Sequence, residues 1–265
     1  MPGLPDSLTD FGPAAFAAVV VAVYLVAGEP VAGHVLHRRF EGRLRTDPGA
    51  RRSFYGRLLF LEWGLALLAL VVWLSAPGVD AAAVGLVWPS WPGPFTLLLV
   101  VLVLGFVLAS TRALRGGAIS EAAAAQRRPV PRPAGQGRHA EPPGSATLAL
   151  LPRTARERRL FTVVGVTAGV CEEWLYRGFF LAVVAAVAGD PPAWVLVPVA
   201  ALAFGLAHAY QGRAGVVLTG VLGGVMAALY LGTGSLLLPV LLHAAIDLRF
   251  LLVPSTALPA GRPGW

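Results

Sequence analysis

The chain has 265 residues, 56% of them hydrophobic and only 13% charged, at a mean hydropathy of +0.70. That charged share is about half what soluble globular domains carry, which excludes a soluble fold. Every cation behind the net charge of +7 is an arginine, and the arginines sit between apolar runs. This pattern reads as membrane topology, with the lipid bilayer as partner and no nucleic acid.

About 20 apolar residues span a bilayer as a helix. By that rule the spans fall near 12–28, 56–76, 94–111, 160–188, 193–210, 214–231 and 235–253. Backbone groups in lipid must bond internally, so the expected fold is all-α: a polytopic membrane helical bundle of about seven transmembrane helices. Strand-like alternation is absent, which disfavours a barrel. The first span is preceded by Asp6 and Asp10 and no cation, unlike a signal peptide.

Seven arginines from Arg38 to Arg57 follow the first span, and ten from Arg112 to Arg159 follow the third. Connections 77–93 and 189–192 carry only Asp80 and Asp190. Cytoplasmic loops are the positive ones, so the N-terminus is expected outside and the C-terminus in the cytoplasm. A bacterial plasma membrane suits the composition.

Four parts follow: a three-helix membrane region at 1–115, a cytoplasmic linker rich in Pro, Ala and Arg at 116–147, a catalytic core in the last four spans at 148–253, and a tail at 254–265. Segment 148–159 has an apolar start and a basic end and is expected at the membrane interface. Cys171 is the single cysteine, which removes intramolecular disulfides and Cys-based zinc sites.

Ionisable residues inside spans are costly and mark candidate sites. The first three spans offer Glu62, whereas the last four concentrate two Glu, one Arg, two His and one Asp. Glu173 and Arg177 are four apart, share a helix face and can pair. Glu172 points about 100° away and is left without that partner, which suits a general base. His243 and Asp247 are also four apart, so the carboxylate is placed to orient the imidazole. Phe204 and His208 repeat the interval, with the ring packing against the imidazole or lining a pocket. Gly165 and Gly169 form a small-xxx-small pair that permits close helix approach.

In order, E-E-x-x-x-R (Glu172, Glu173, Arg177), F-x-x-x-H (Phe204, His208) and H-x-x-x-D (His243, Asp247) resemble the CPBP family. That family comprises the CAAX prenyl proteases and the bacteriocin-processing, or Abi, proteins. The resemblance covers about 155–253. It implies an intramembrane endopeptidase whose polar cavity opens to the cytoplasm and whose substrate is a peptide or membrane protein, with no cofactor and no metal. Glu172 would activate water with the help of His208, and His243 with position 247 would stabilise the oxyanion. Glu173, Arg177 and Phe204 would organise the site. The eukaryotic and archaeal CAAX proteases carry Asn where this chain has Asp247. Ionised Asp only accepts hydrogen bonds, so orienting His243 suits it better than the oxyanion role.

Three other readings stand beside this one. A zinc-dependent membrane protease would use the same Glu and His residues, but no H-E-x-x-H helix is present. A non-catalytic membrane or bacteriocin-immunity protein would retain the motif without chemistry. A transporter would use the carboxylates as a proton relay, but no broken-helix pairing across two halves is evident.

Overall fold

The computed structural model describes residues 3–44, 46–115, 149–189 and 191–253. The linker 116–147, the tail 254–265, Arg45 and Asp190 lie outside the described residues. Those described fold into seven helical rods without strands.

The first rod runs Leu8–Arg43. Ser7 and Asp10 close a capping box at its start. Helix α1 (Ala15–Val23) passes through a π-helical turn (Tyr24–Gly28) into α2 (Glu29–Arg43). This differs from the arginine-rich loop expected to begin soon after residue 28. Pro30 sits in the first turn of α2, a position where proline's lack of an amide hydrogen is tolerated. The chain therefore stays helical to Arg43. Asp47 turns it toward α3, held by the Gly49 amide and the Arg43 guanidinium. Those two partners keep the Asp47 carboxyl below the usual carboxylate range.

Helix α3 (Ala50–Leu74) and helix α4 (Pro94–Arg115) form the next two rods. The fourth joins α5 (Ala155–Glu173) to α6 (Phe180–Ala188) through a second π-helical turn (Trp174–Phe179). A capping box between Thr154 and Glu157 starts it, and Gly189 at φ 72° ends it. Helix α7 (Ala193–Ala207) leads through a short 3₁₀ turn to α8 (Gly212–Thr233). Helix α9 (Leu237–Leu248) closes the bundle.

The rods Leu8–Arg43, Ala50–Leu74, Pro94–Arg115 and Ala209–Thr233 are long and apolar enough to cross a bilayer. Helix α7 is apolar but shorter. The fourth and last rods carry the charged motifs, which lower their hydropathy. The chain is an integral membrane protein.

Small residues set the packing, as expected where lipid offers no hydrophobic drive between helices. A Cβ on Gly205 would lie 2.7 Å from the Val216 carbonyl oxygen and 3.1 Å from Gly220 Cα, so α7 and α8 meet backbone to backbone. A Cβ on Gly169 would lie 3.1 Å from the Ala244 amide and the Val240 carbonyl, so α5 meets α9 as closely. One buried cluster joins Phe11, Leu25 and Ala69 of the first two rods to Trp174, Leu196 and Tyr230. The loop after α3 clamps the far end: Leu236 donates to the Gly85 carbonyl, and Tyr230 Oη donates to Ala83. Gly85 has φ +74°, and a Cβ there would come within 2.5 Å of the Tyr230 ring, so only glycine fits. At the other end, Arg51 and Tyr55 of α3 hold the carbonyls of Ala149 and Leu150.

Candidate active site

The innermost layer is an ion pair with neither side chain exposed. Glu173 Oε1 and Arg177 Nη1 are 3.0 Å apart, each at 0% exposure. The pairing matches the one-turn spacing, although Arg177 lies in the π-helical turn. Such turns recur at functional sites because they re-aim side chains within a continuous helix. Arg177 Nη2 donates to the Gly223 carbonyl at 3.0 Å, and the guanidinium sits 4.3 Å from the Phe204 ring centroid. Two charges taken out of water need such extra partners to offset their desolvation.

The two imidazoles rest on this layer. His243 Nδ1 donates to Glu173 Oε1 at 2.6 Å. The spacing in α9 pointed to Asp247 as the residue that orients His243. Instead, Asp247 Oδ2 is 3.9 Å from Nε2, beyond hydrogen-bond reach, and Glu173 fixes the ring. The cause is the close approach at Gly169, which draws α9 onto α5 and lays His243 over Glu173. His208 ends α7, and its Nδ1 donates to the Phe204 carbonyl at 2.9 Å. A carbonyl only accepts, so Nδ1 carries the hydrogen and Nε2 faces the site. The Phe204 ring contacts both imidazoles, at centroid distances of 4.7 Å to His208 and 5.9 Å to His243.

Glu172 faces the two Nε2 atoms. Its Oε2 is 3.9 Å from His208 Nε2 and 3.9 Å from His243 Nε2. That oxygen is buried and makes no hydrogen bond among the described residues. The Glu172 side chain as a whole retains 19% exposure, so the site communicates with its surroundings. Glu172, Glu173, Arg177, Phe204, His208, His243 and Asp247 therefore come together from three rods. Among the described residues no group of three or more His, Cys, Asp or Glu is arranged to hold a metal ion.

Two N-terminal carboxylates join this assembly. Glu62 of α3 lies within electrostatic reach of Glu172, Asp247, His243 and Glu29. Glu29 of α2 lies within electrostatic reach of Glu172. The sequence drew attention to Glu62 without placing it, and Glu29 fell just past the expected end of the first span. The missed signal is the stripe Glu29, Gly33, His37 at four-residue spacing. Gly33 packs on the Ala207 carbonyl, and the His37 ring lies 5.1 Å from that of Tyr210, beside His208.

Residues 156–249 match the type II CAAX prenyl endopeptidase Rce1-like family. That segment is similar to this family, and the family is one of proteases. No curated protein and no solved structure matches the chain.

Proposed function

We propose that this chain is an intramembrane endopeptidase resembling the CAAX prenyl proteases, with Glu172 as general base. One observation carries the reading: the buried, unbonded Oε2 of Glu172 stands 3.9 Å from two imidazole nitrogens on two other helices. That separation exceeds a direct hydrogen bond and suits a water bonded to the carboxylate and an imidazole together.

In the reaction, Glu172 takes a proton from water as the water oxygen bonds to the substrate carbonyl carbon. Nε2 of His208 accepts the water's second hydrogen and orients the attack. Glu173 stabilises a positive charge on His243, whose Nε2–H then donates to the oxyanion. The Arg177 guanidinium balances Glu173 and keeps it in place. As the carbon–nitrogen bond breaks, the proton on Glu172 passes to the leaving amine. Asp247, beside His243 Nε2, supports the charged imidazole rather than binding the oxyanion.

The arginine-rich helix ends lie in the cytoplasm in this reading, with the N-terminus outside. The substrate is a peptide or membrane-protein segment reached from the bilayer or the cytoplasm. A comparison of membrane peptides from cells carrying wild type or Glu172→Ala tests this. New termini that depend on Glu172 support it, and identical peptide sets reject it.

A further inference from the structure

The matched segment begins at residue 156, yet the turn that follows His208 packs on the first rod, which precedes that segment. His208 caps the end of α7, and the 3₁₀ turn Ala209–Gln211 follows it directly. Helix ends fray, so the helix alone does not hold an imidazole at this position. The Phe204 carbonyl and ring fix it from within α7. A second ring comes from the turn: the Tyr210 centroid lies 5.9 Å from that of His208, with the planes 33° apart. Both ring separations fall in the range where aromatic pairs attract.

Tyr210 is itself held from α2. The His37 ring stands 5.1 Å from it, with the planes 35° apart. His37 is 4% exposed, and its Nε2 is 3.1 Å from Glu41 Oε1, one helical turn on. Phe54 of α3 meets the His37 ring edge-on at 6.4 Å. A Cβ on Gly33 would lie 3.6 Å from Tyr210 Cδ1 and 3.5 Å from the Ala207 carbonyl oxygen, so α2 rests directly on the turn. Within the turn, Gln211 Nε2 donates to Tyr210 Oη at 3.2 Å. The rings of His37, Tyr210, His208 and Phe204 thus form one continuous column from the first rod to the site.

We propose that Tyr210, seated on His37, is a positioning residue for His208: the column of rings sets where Nε2 stands opposite Glu172. The first rod thereby completes the site from outside the matched segment. The proposal rests on the reading of His208 as the group that orients the attacking water. Tyr210 and His37 form and break no bond in the reaction. Their effect is geometric, since displacing a reacting group by about 1 Å can slow a reaction about 10²-fold.

The test uses the full chain in lipid nanodiscs and two readouts. The first is the magnetic resonance signal of His208 Cε1–H in protein with labelled histidines, assigned by its loss in His208→Gln. A held imidazole gives one sharp signal. Tyr210→Leu and His37→Leu each broaden or split it, whereas Tyr210→Phe, which keeps the ring, leaves it sharp. A broad wild-type signal, or a sharp one in either leucine variant, overturns the proposal, and this outcome does not depend on cleavage. The second readout is the kinetics of peptide cleavage. Both leucine variants lower kcat by about 10–10²-fold while KM holds, and Tyr210→Phe stays near wild type. Because His37 acts through Tyr210, the double variant loses no more than Tyr210→Leu alone. Losses that multiply, or an equal loss in Tyr210→Phe, overturn the proposal. If Tyr210→Leu does not fold, His37→Leu set against Tyr210→Phe decides by the same signs. Absence of cleavage in wild type rejects the peptidase reading instead, and the resonance signal then decides for Tyr210.

Discussion

Adjacent glutamates receive opposite surroundings in this chain. Glu173 is sealed between Arg177 and His243, whereas Glu172 keeps an unbonded oxygen before two imidazoles. The Glu173–Arg177 pair was legible because both residues lie on one helix and spacing alone decides it. The hydrogen bond from His243 to Glu173 was not, since no spacing within α9 reveals which side chain of α5 lies beneath it. Removing one partner of a buried pair leaves a charge uncompensated, at about 3–5 kcal/mol. Glu173→Gln and Arg177→Ala are therefore expected to melt well below wild type in detergent. Unchanged melting with lost cleavage would give the pair a direct chemical role. Asp247→Asn is expected to be mild, because Asp247 holds no hydrogen bond to His243. A cleavage rate reduced as far as by removal of His243 would contradict that.

Helices carry these residues, and their contacts depend on glycine. Gly205 stands three residues before His208 and lets α7 touch the α8 backbone. Gly205→Ala places a methyl group against the Val216 carbonyl and is expected to cost about 1–3 kcal/mol. Because α7 ends at His208, the same change displaces that imidazole, and peptide cleavage falls with the melting temperature. Gly64→Ala, with nothing within 4 Å of the added Cβ, serves as the control and leaves both unchanged. A Gly205→Ala protein as stable and active as the control would show that the close approach is not needed. Gly165 and Gly169 announced a close approach in the sequence. Their partner, α9, emerged only from the packing.

The bundle as a whole brings two of the three rods that precede the matched segment close to the site. Apolar runs marked those rods, but hydropathy is blind to which face of α2 or α3 turns inward. That is why Glu29 escaped notice and Glu62 was found without a role. The continuation of α2 to Arg43 was also hidden, because its last turns are polar and Pro30 reads as a break. In the proposed topology the arginine asymmetry orients the bundle, and Cys171, the single cysteine, is buried and gives a low labelling background. Arg52→Cys is expected to react with an impermeant reagent only after cells are opened, and Asp80→Cys in intact cells. The opposite pattern would invert the topology.

The central claim is that Glu172 is the base, and purified Glu172→Gln tests it most directly. Gln keeps the shape of Glu but does not take a proton from water. General-base catalysis contributes about 10²–10⁴-fold, so cleavage of a reporter peptide should fall by at least that order while the melting temperature holds. The assay is run with and without a metal chelator, which should change neither result. Cleavage by Glu172→Gln at the wild-type rate would remove the base and contradict the account.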